Sequence, residues 1–302
     1  METKPLSRGR AAAEVLLAGV LWGMINLFVR ALSAAGAAPL QITFIRLAVA
    51  AVGFTLFLLF YAPRTLKIQL RDLWMFIGTG IVSVMLFNLC YFYAMTAGEA
   101  SVAVTLLYTS PFFILLLAAA LFGERITVKK IPLLLCLLLG CALTSGLVGS
   151  KVRFDAKVFL AGLGSGFFYG LYTIFSRFAL KKYSALTVTA YTFITGALGL
   201  LPFAAPGKLV PLMTASPKPV LLCLGIGVIC TVLPYVLYTH GLTGMEAGRA
   251  AVLAESEPVT GTLIGLTVFG ESRDVFKLLG IVLILGAVLL LETDGIRKRK
   301  RQ

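Results

Sequence analysis

The sequence predicts an all-α membrane protein with ten transmembrane helices arranged as two inverted five-helix repeats. Three observations carry that prediction. In composition, 59% of the residues are hydrophobic and 13% charged, with a mean hydropathy of +0.96, against about 45–50% apolar and about 25% charged residues in soluble domains. Ten apolar runs are long enough to cross a bilayer, which takes about 20 residues apiece. Finally, one phrase is written twice, 147 residues apart: "SPFFILLLAAALFGE" at Ser110 to Glu124 and "EPVTGTLIGLTVFGE" at Glu257 to Glu271.

In chain order the runs fall at about 12–31, 40–61, 73–96, 101–122, 130–149, 157–180, 185–204, 219–241, 247–269 and 275–292. The first lies between "KPLSRGR" and "ALSAAGA", as a cleavable signal peptide would. Its apolar length of about 19 residues exceeds the usual 7–15, and Arg30 stands before the small-residue site, so it is taken as a retained helix. Connections are short. The longest, Ala205 to Lys218, carries Pro206, Pro211 and Pro217, with Pro219 at its edge, and is too small to fold alone. Pro111, Pro234 and Pro258 fall inside runs. Each removes a backbone hydrogen bond, which lipid tolerates only where protein, water or a polar side chain satisfies the freed group.

The five cysteines lie within apolar runs, an odd number with no loop partners, so no disulfide framework is indicated. The sole histidine, His240, excludes a multi-histidine metal site. No GxxxxGK[ST] phosphate loop is present, so ATP-driven transport by this chain is not expected, and neither is a cofactor.

Sliding the second half onto the first by 147 residues superposes much more than the quoted phrase. Gly19, Gly23, Phe28 and Arg30 fall on Gly166, Gly170, Phe175 and Arg177; Gly78 and Gly80 fall on Gly225 and Gly227; Tyr91 and Glu99 fall on Tyr238 and Glu246. Residues 1–150 thus form the first repeat, and 151–302 the second with a basic tail. An odd number of spans per repeat makes the second enter the membrane from the opposite side, the plan of many secondary transporters. Lysine and arginine near the helix ends number 18 on the N-terminal side and 8 on the other, with Lys151, Arg153 and Lys157 dissenting. Both termini are expected in the cytoplasm and the chain in the plasma membrane. The net charge of +14 and the tail "RKRKRQ" suit anionic lipid headgroups; without a basic domain or stacking platform, nucleic acid is not an expected partner. A homodimer stays open.

Each repeat has a proline-bearing fourth helix that ends in Gly-Glu and is followed by another apolar helix. That pattern resembles the drug/metabolite transporter superfamily, and its EamA-type branch most closely. "WG" at Trp22-Gly23, "SPFFILLLAAALFGERITVKKIPLLLCLLLGCAL" and "EPVTGTLIGLTVFGESRDVFKLLGIVLILGAVLL" carry the likeness. The resemblance implies a ten-helix permease, often an exporter of amino acids or related metabolites, with a central cavity between helices one to four and six to nine. Other branches carry nucleotide sugars and phosphorylated sugars. The chain departs from the pattern at "AESEP", where two carboxylates precede the proline.

Positions that stay polar or amphipathic in both repeats are expected to face a shared cavity, since intramembrane polar groups face the bundle interior. Trp22 and Asn26 are mates of Tyr169 and Thr173; Asn88 and Tyr91 of Tyr235 and Tyr238; Tyr108 of Glu255. Arg46, about 9 Å into helix two at 1.5 Å per residue, either snorkels to headgroups or binds a substrate carboxylate. These ten, Trp22, Asn26, Arg46, Asn88, Tyr91, Tyr108, Tyr169, Tyr235, Tyr238 and Glu255, are the candidate substrate-binding residues. Trp74, near the start of helix three, is read as an interfacial anchor. Glu99, Glu124, Glu246 and Glu271 fall at helix ends and are expected to be solvated.

An aromatic cavity with one buried cation suits a small amphipathic solute better than a phosphate-bearing one. The expected function is a secondary transporter working by alternating access, exporting amino acids or related metabolites, with a proton as candidate coupling ion. A facilitated carrier, or a drug or nucleotide-sugar antiporter, is the alternative. An intramembrane enzyme is disfavoured because Glu255 and Glu257 would be about 200° apart on a continuous helix and no catalytic residues are identified. Glu257, before Pro258, is expected to support the kink. Glu255 is expected to bind a substrate ammonium or the proton.

Overall fold

The computed structural model describes residues 6–98, 100–126, 130–148, 155–270 and 274–299. Among these there is no strand. Ten principal helices follow one another: α1 (Arg8–Ala34), α2 (Pro39–Tyr61), α3 (Leu70–Ala97), α4 (Ala100–Phe122), α5 (Lys130–Thr144), α6 (Ala156–Ala179), α7 (Ala185–Ala204), α8 (Pro217–Gly241), α9 in two segments (Ala247–Ala254 and Ser256–Thr267) and α10 (Val275–Arg299). Seven of them are long and apolar enough to cross a membrane by themselves. The apolar parts of α5 and α10 are shorter, Ile131–Thr144 and Val275–Leu290, and α9 is divided.

The ends of the helices follow local chemistry. Asp155 accepts from the backbone N–H groups of Lys157 and Val158 at 2.7 and 3.1 Å, and Ser184 from that of Thr187 at 3.2 Å, satisfying donors that a helix start leaves free. The twice-written Phe-Gly-Glu is a helix stop. Gly123 and its mate Gly270 both adopt left-handed backbone, φ 67° and 63°, and the Glu124 N–H reaches back to the Ala118 carbonyl at 3.3 Å, the six-residue closure that glycine permits without a Cβ clash.

Both fourth helices break just before their prolines. In α4 the segment Ala100–Leu107 gives way to Ser110–Phe122; in α9, Ala254 and Ser256 flank Glu255. Proline at position i lacks an N–H and its ring collides with the carbonyl of i−4, here Leu107 and Ala254, which are repeat mates. The third helices are perturbed alike. Wide turns of the i→i−5 kind run over Gly78–Met85 in α3 and Val228–Val232 in α8, and the Leu86 and Leu233 N–H groups bond the carbonyls of Ile81 and Val228.

The packing crosses between the repeats. α1 lies on α8 and α9, and its mate α6 on α3 and α4; α2 pairs with α7, and α5 with α10. One pair of repeat-mate glycines, Gly19 and Gly166, lets helices approach closely. A Cβ on Gly19 would sit 2.7 Å from the Ala254 carbonyl, and one on Gly166 would sit 2.7 Å from the Leu106 carbonyl and 3.0 Å from that of Leu107. Packing of this kind drives helix association where lipid removes the hydrophobic incentive.

Glu124 is not solvated as its place at a helix end suggests. Its carboxylate is buried, accepts from the N–H groups of Ala247 and Gly248 at 2.9 and 3.4 Å, and pairs with Arg177 at 3.4 Å. Gly123 turns the chain back so that the carboxylate meets the start of α9, where helix-end donors favour an anion. Glu99 and Glu271 lie outside the described residues, as do Lys151 and Arg153. Glu246 is exposed.

Candidate functional site

The breaks in α4 and α9 meet the glycine faces of α1 and α6 at the middle of the molecule, and a cavity opens between them. Its wall holds Trp22 of α1; Ser83, Val84 and Phe87 of α3; Tyr108, Ser110 and Ile114 of α4; Tyr169, Tyr172 and Thr173 of α6; Tyr235 and Tyr238 of α8; and Ala251, Ala254, Glu255 and Glu257 of α9. Empty space between these atoms amounts to about 510 Å³, of which about 20 Å³ can take the centre of a water-sized sphere. One water needs about 10–15 Å³ on that measure. In this conformation there is room for about one water, and a solute requires the walls to part.

Aromatic rings build most of the wall. Trp22 meets Tyr235 edge-on with centroids 5.4 Å apart, and Tyr172 meets Tyr235 at 5.1 Å. Phe87 stands edge-on to Tyr169 at 5.2 Å. Such edge-to-face pairs add about 0.5–1.5 kcal/mol to the area they bury. The hydroxyls are positioned by threonines: Tyr238 lies 2.7 Å from Thr173 Oγ1, and Tyr172 bonds Thr239.

The acids form the other part. The Tyr169 hydroxyl donates to Glu257 Oε2 at 3.4 Å, and the Cys141 thiol donates to Glu255 Oε2 at 3.7 Å. Glu255 is 4% exposed. Both carboxylates face one cavity, contrary to the opposite sides expected of a continuous helix. Two residues turn through about 200° only where the helix is unbroken. Here the chain turns at Glu255, φ −66° and ψ 6°, whose N–H bonds the Val252 carbonyl at 3.2 Å in a tight turn. Glu257 therefore belongs to the cavity as well as to the kink. No lysine or arginine is among the wall residues.

Of the ten candidates from sequence, the structure brings six to the wall: Trp22, Tyr108, Tyr169, Tyr235, Tyr238 and Glu255. Four stand elsewhere. Asn88 is buried with its amide committed, donating to the Val84 carbonyl at 2.7 Å and accepting from Thr43 at 3.4 Å, so it joins α3 to α2. Tyr91, one turn beyond the wall residue Phe87 on the same face of α3, packs against Ala94, Ala103 and Val158. Asn26 lies beyond the break at Met24, its amide nitrogen beside Gly261 of α9. Arg46 is not among the wall residues, but its charge acts on both Tyr235 and Glu257; its Nε is buried without a hydrogen-bond partner among the described residues. The structure also adds Tyr172 and Phe87. Tyr172 is one turn from Tyr169, but its repeat mate is the apolar Ile25, so a filter for polarity in both repeats discards it.

Among the described residues no group of three His, Cys, Asp or Glu side chains could hold a metal ion. Ten helices paired across two inverted repeats, with a closed polar and aromatic cavity where broken helices meet, define a multi-pass membrane protein of transporter architecture. The EamA-like transporter family model matches residues 10–146 and again 156–293, and the chain belongs to that family. It is 31% identical to an uncharacterized transporter of Archaeoglobus fulgidus over 92% of this chain and 94% of that one. It is 27% identical to the uncharacterized inner membrane transporter YicL of Salmonella typhimurium, over 98% and 99%. A solved crystal structure superimposes with a TM-score of 0.78 at 19% identity, covering 97% of this chain and 99% of that one, a likeness of fold. Family and relatives point to transport rather than catalysis.

Proposed function

We propose that the chain is a secondary transporter that exports amino acids or related small amphipathic metabolites by alternating access across the cytoplasmic membrane, exchanging a substrate ammonium for a proton at Glu255. One observation carries the reading: two carboxylates and no cation line an otherwise aromatic cavity. An acid in the middle of a membrane costs about 2.5–3.5 kcal/mol on insertion scales, so two in one cavity imply a positively charged visitor. The aromatic rings would hold its apolar part. A phosphate-bearing solute would meet two carboxylates in the wall and Arg46 as the one cation near it, which disfavours nucleotide and phosphorylated sugars. Arg46 is placed to attract the carboxylate of a zwitterion once the walls part.

The test uses proteoliposomes and separates two fluxes, uphill transport driven by a pH gradient and counterflow without a gradient, for parent, Glu255→Gln and Glu257→Gln. Glu255→Gln is expected to lose uphill flux at least tenfold while counterflow persists. Glu257→Gln is expected to weaken both, since it removes one of the two charges that face the solute, although its amide oxygen can still accept from Tyr169. Uphill flux by Glu255→Gln equal to the parent's would remove Glu255 from the coupling step and favour a facilitated carrier.

A further inference from the structure

A second cavity lies at one end of the bundle, away from the first. It is lined by Lys67, Ile68 and Gln69 from the α2–α3 connection, Arg71 and Asp72 from the first turn of α3, and Lys182 and Tyr183 from the α6–α7 turn. It is a recess open to the surface. Three cations and one acid line it, a net charge of +2. We propose that this cavity binds the phosphate-bearing headgroup of an anionic lipid, through Lys67 and Arg71 with Lys182 alongside.

The segment that carries Lys67 and Arg71 is pinned to the other repeat. Asp72 is buried and receives the Lys182 ammonium and the Tyr183 hydroxyl, each at 2.7 Å. The Tyr183 oxygen also accepts the Gln69 N–H at 3.1 Å. Thr187 donates to the Thr65 carbonyl at 2.7 Å and Tyr191 to that of Leu66 at 2.8 Å. Arg71 Nε donates to Gln69 Oε1 at 2.7 Å, which orients the guanidinium beside the opening. The cations are thus presented on a braced segment, and little ordering remains for a ligand to impose.

The surroundings favour a lipid over a free anion. Leu70, between the two cations in sequence, is 85% exposed, and Phe60 and Tyr61 at the adjoining end of α2 are 81% and 78% exposed. Apolar side chains turned outward beside a basic recess match the boundary between acyl chains and headgroups, where clustered cations bind anionic lipid. The recess is also confined to one end. At the pseudo-symmetric position Lys67, Asp72, Lys182 and Tyr183 are replaced by Thr214, Pro219, Ala35 and Gly36, and only Arg71 keeps a cation, Lys218. Internal duplication did not impose the feature, and a ligand found in one leaflet would explain that. By bridging the two repeats, the headgroup would stabilise this conformation.

The experiment measures the thermal midpoint of the full-length protein in detergent while phosphatidylglycerol, phosphatidylcholine or inorganic phosphate is added, with native mass spectrometry to count retained lipids. Phosphatidylglycerol is expected to raise the midpoint and be retained, the other two not. Lys67→Gln/Arg71→Gln should weaken the phosphatidylglycerol response about fivefold per cation removed; Lys67→Arg/Arg71→Lys should restore it, and Lys208→Gln/Lys218→Gln should match the parent. An undiminished response in the Gln double variant would overturn the site. Stabilisation by inorganic phosphate alone, with the same dependence on Lys67 and Arg71, would overturn the lipid.

Discussion

Gly164 and Gly166 lie two residues apart on α6, and alanine at the two should have opposite consequences. A Cβ on Gly166 would lie 2.7 Å from the Leu106 carbonyl and from Thr109 Oγ1, and 3.0 Å from the Leu107 carbonyl. Two of those atoms are backbone at the break in α4 and cannot swing aside. A comfortable contact is about 3.5 Å or more, so α6 and α4 must separate by roughly 0.8 Å along the line to the Leu106 carbonyl. Overpacking of this sort costs about 1–3 kcal/mol. On Gly164 the nearest atom would be Cys90 Sγ at 3.6 Å, an ordinary contact. Both substitutions gain the same helix propensity, about 0.8–1.0 kcal/mol, so the difference between the variants isolates the close approach. At 1.36 kcal/mol per factor of ten, that difference is roughly 5- to 150-fold in the folding equilibrium. Thermal midpoints of detergent-purified protein should place Gly164→Ala at or above the parent and Gly166→Ala clearly below. Gly19→Ala, its mate against the Ala254 carbonyl, should fall with Gly166→Ala. If Gly166→Ala proves as stable as Gly164→Ala, the glycine seam does not hold the broken helices in place.

Two other expectations concern the ends of the bundle. Glu124→Ala strands the N–H groups of Ala247 and Gly248 and removes the partner of Arg177, and should destabilise by about 1.5–3 kcal/mol, read as a lowered thermal midpoint; Glu124→Gln, which keeps an acceptor, should lose less, and equal losses would mean that the hydrogen bonds to α9 contribute nothing. Cysteines placed in the N- and C-terminal tails should react only with reagent supplied on the cytoplasmic side, following the 18 to 8 distribution of lysine and arginine, and labelling of either tail from outside intact cells would reverse the orientation.

Much of the architecture is legible in the sequence because its causes are local or repeated. Apolar runs, the 147-residue offset and the prolines of the fourth helices need no knowledge of packing. The rings of Trp22, Tyr169, Tyr235 and Tyr238 are found by asking which positions stay amphipathic in both repeats. The same reasoning takes in Asn88 and Tyr91, which stand outside the wall because the Asn88 amide is committed to Thr43 and Val84 and Tyr91 packs one turn beyond Phe87, contacts that polarity alone does not reveal. It also separates Glu255 from Glu257 by treating α9 as continuous, although Pro258 is itself the signal that it is not. Glu124 illustrates a third limit. Its partners Ala247 and Gly248 lie over 120 residues away, and nothing near Glu124 in sequence announces that a left-handed glycine will aim it at another helix.

The duplication preserves the skeleton of the cavity while its chemistry diverges. Breaks, glycine contacts and wide turns recur in both repeats, so conformations open to either side would differ little in backbone energy. Tyr108 and Ser110 at one break, however, answer to Glu255 and Glu257 at the other. A carrier that exchanges a proton for an ammonium needs such a division. The symmetric skeleton keeps the two conformations close in free energy, and the acids make their balance depend on what is bound. A ligand shifts such a balance only by its difference in affinity for the two forms, and in the form described here there is room for about one water beside the acids. A protonated pair fits that closed space without a counter-ion, whereas a bound ammonium solute must hold the walls apart. On the proposed mechanism the narrow cavity is therefore the proton-loaded conformation, and Glu255→Gln, which can neither take up nor release a proton, should uncouple the carrier, leaving gradient-free counterflow while uphill flux is lost.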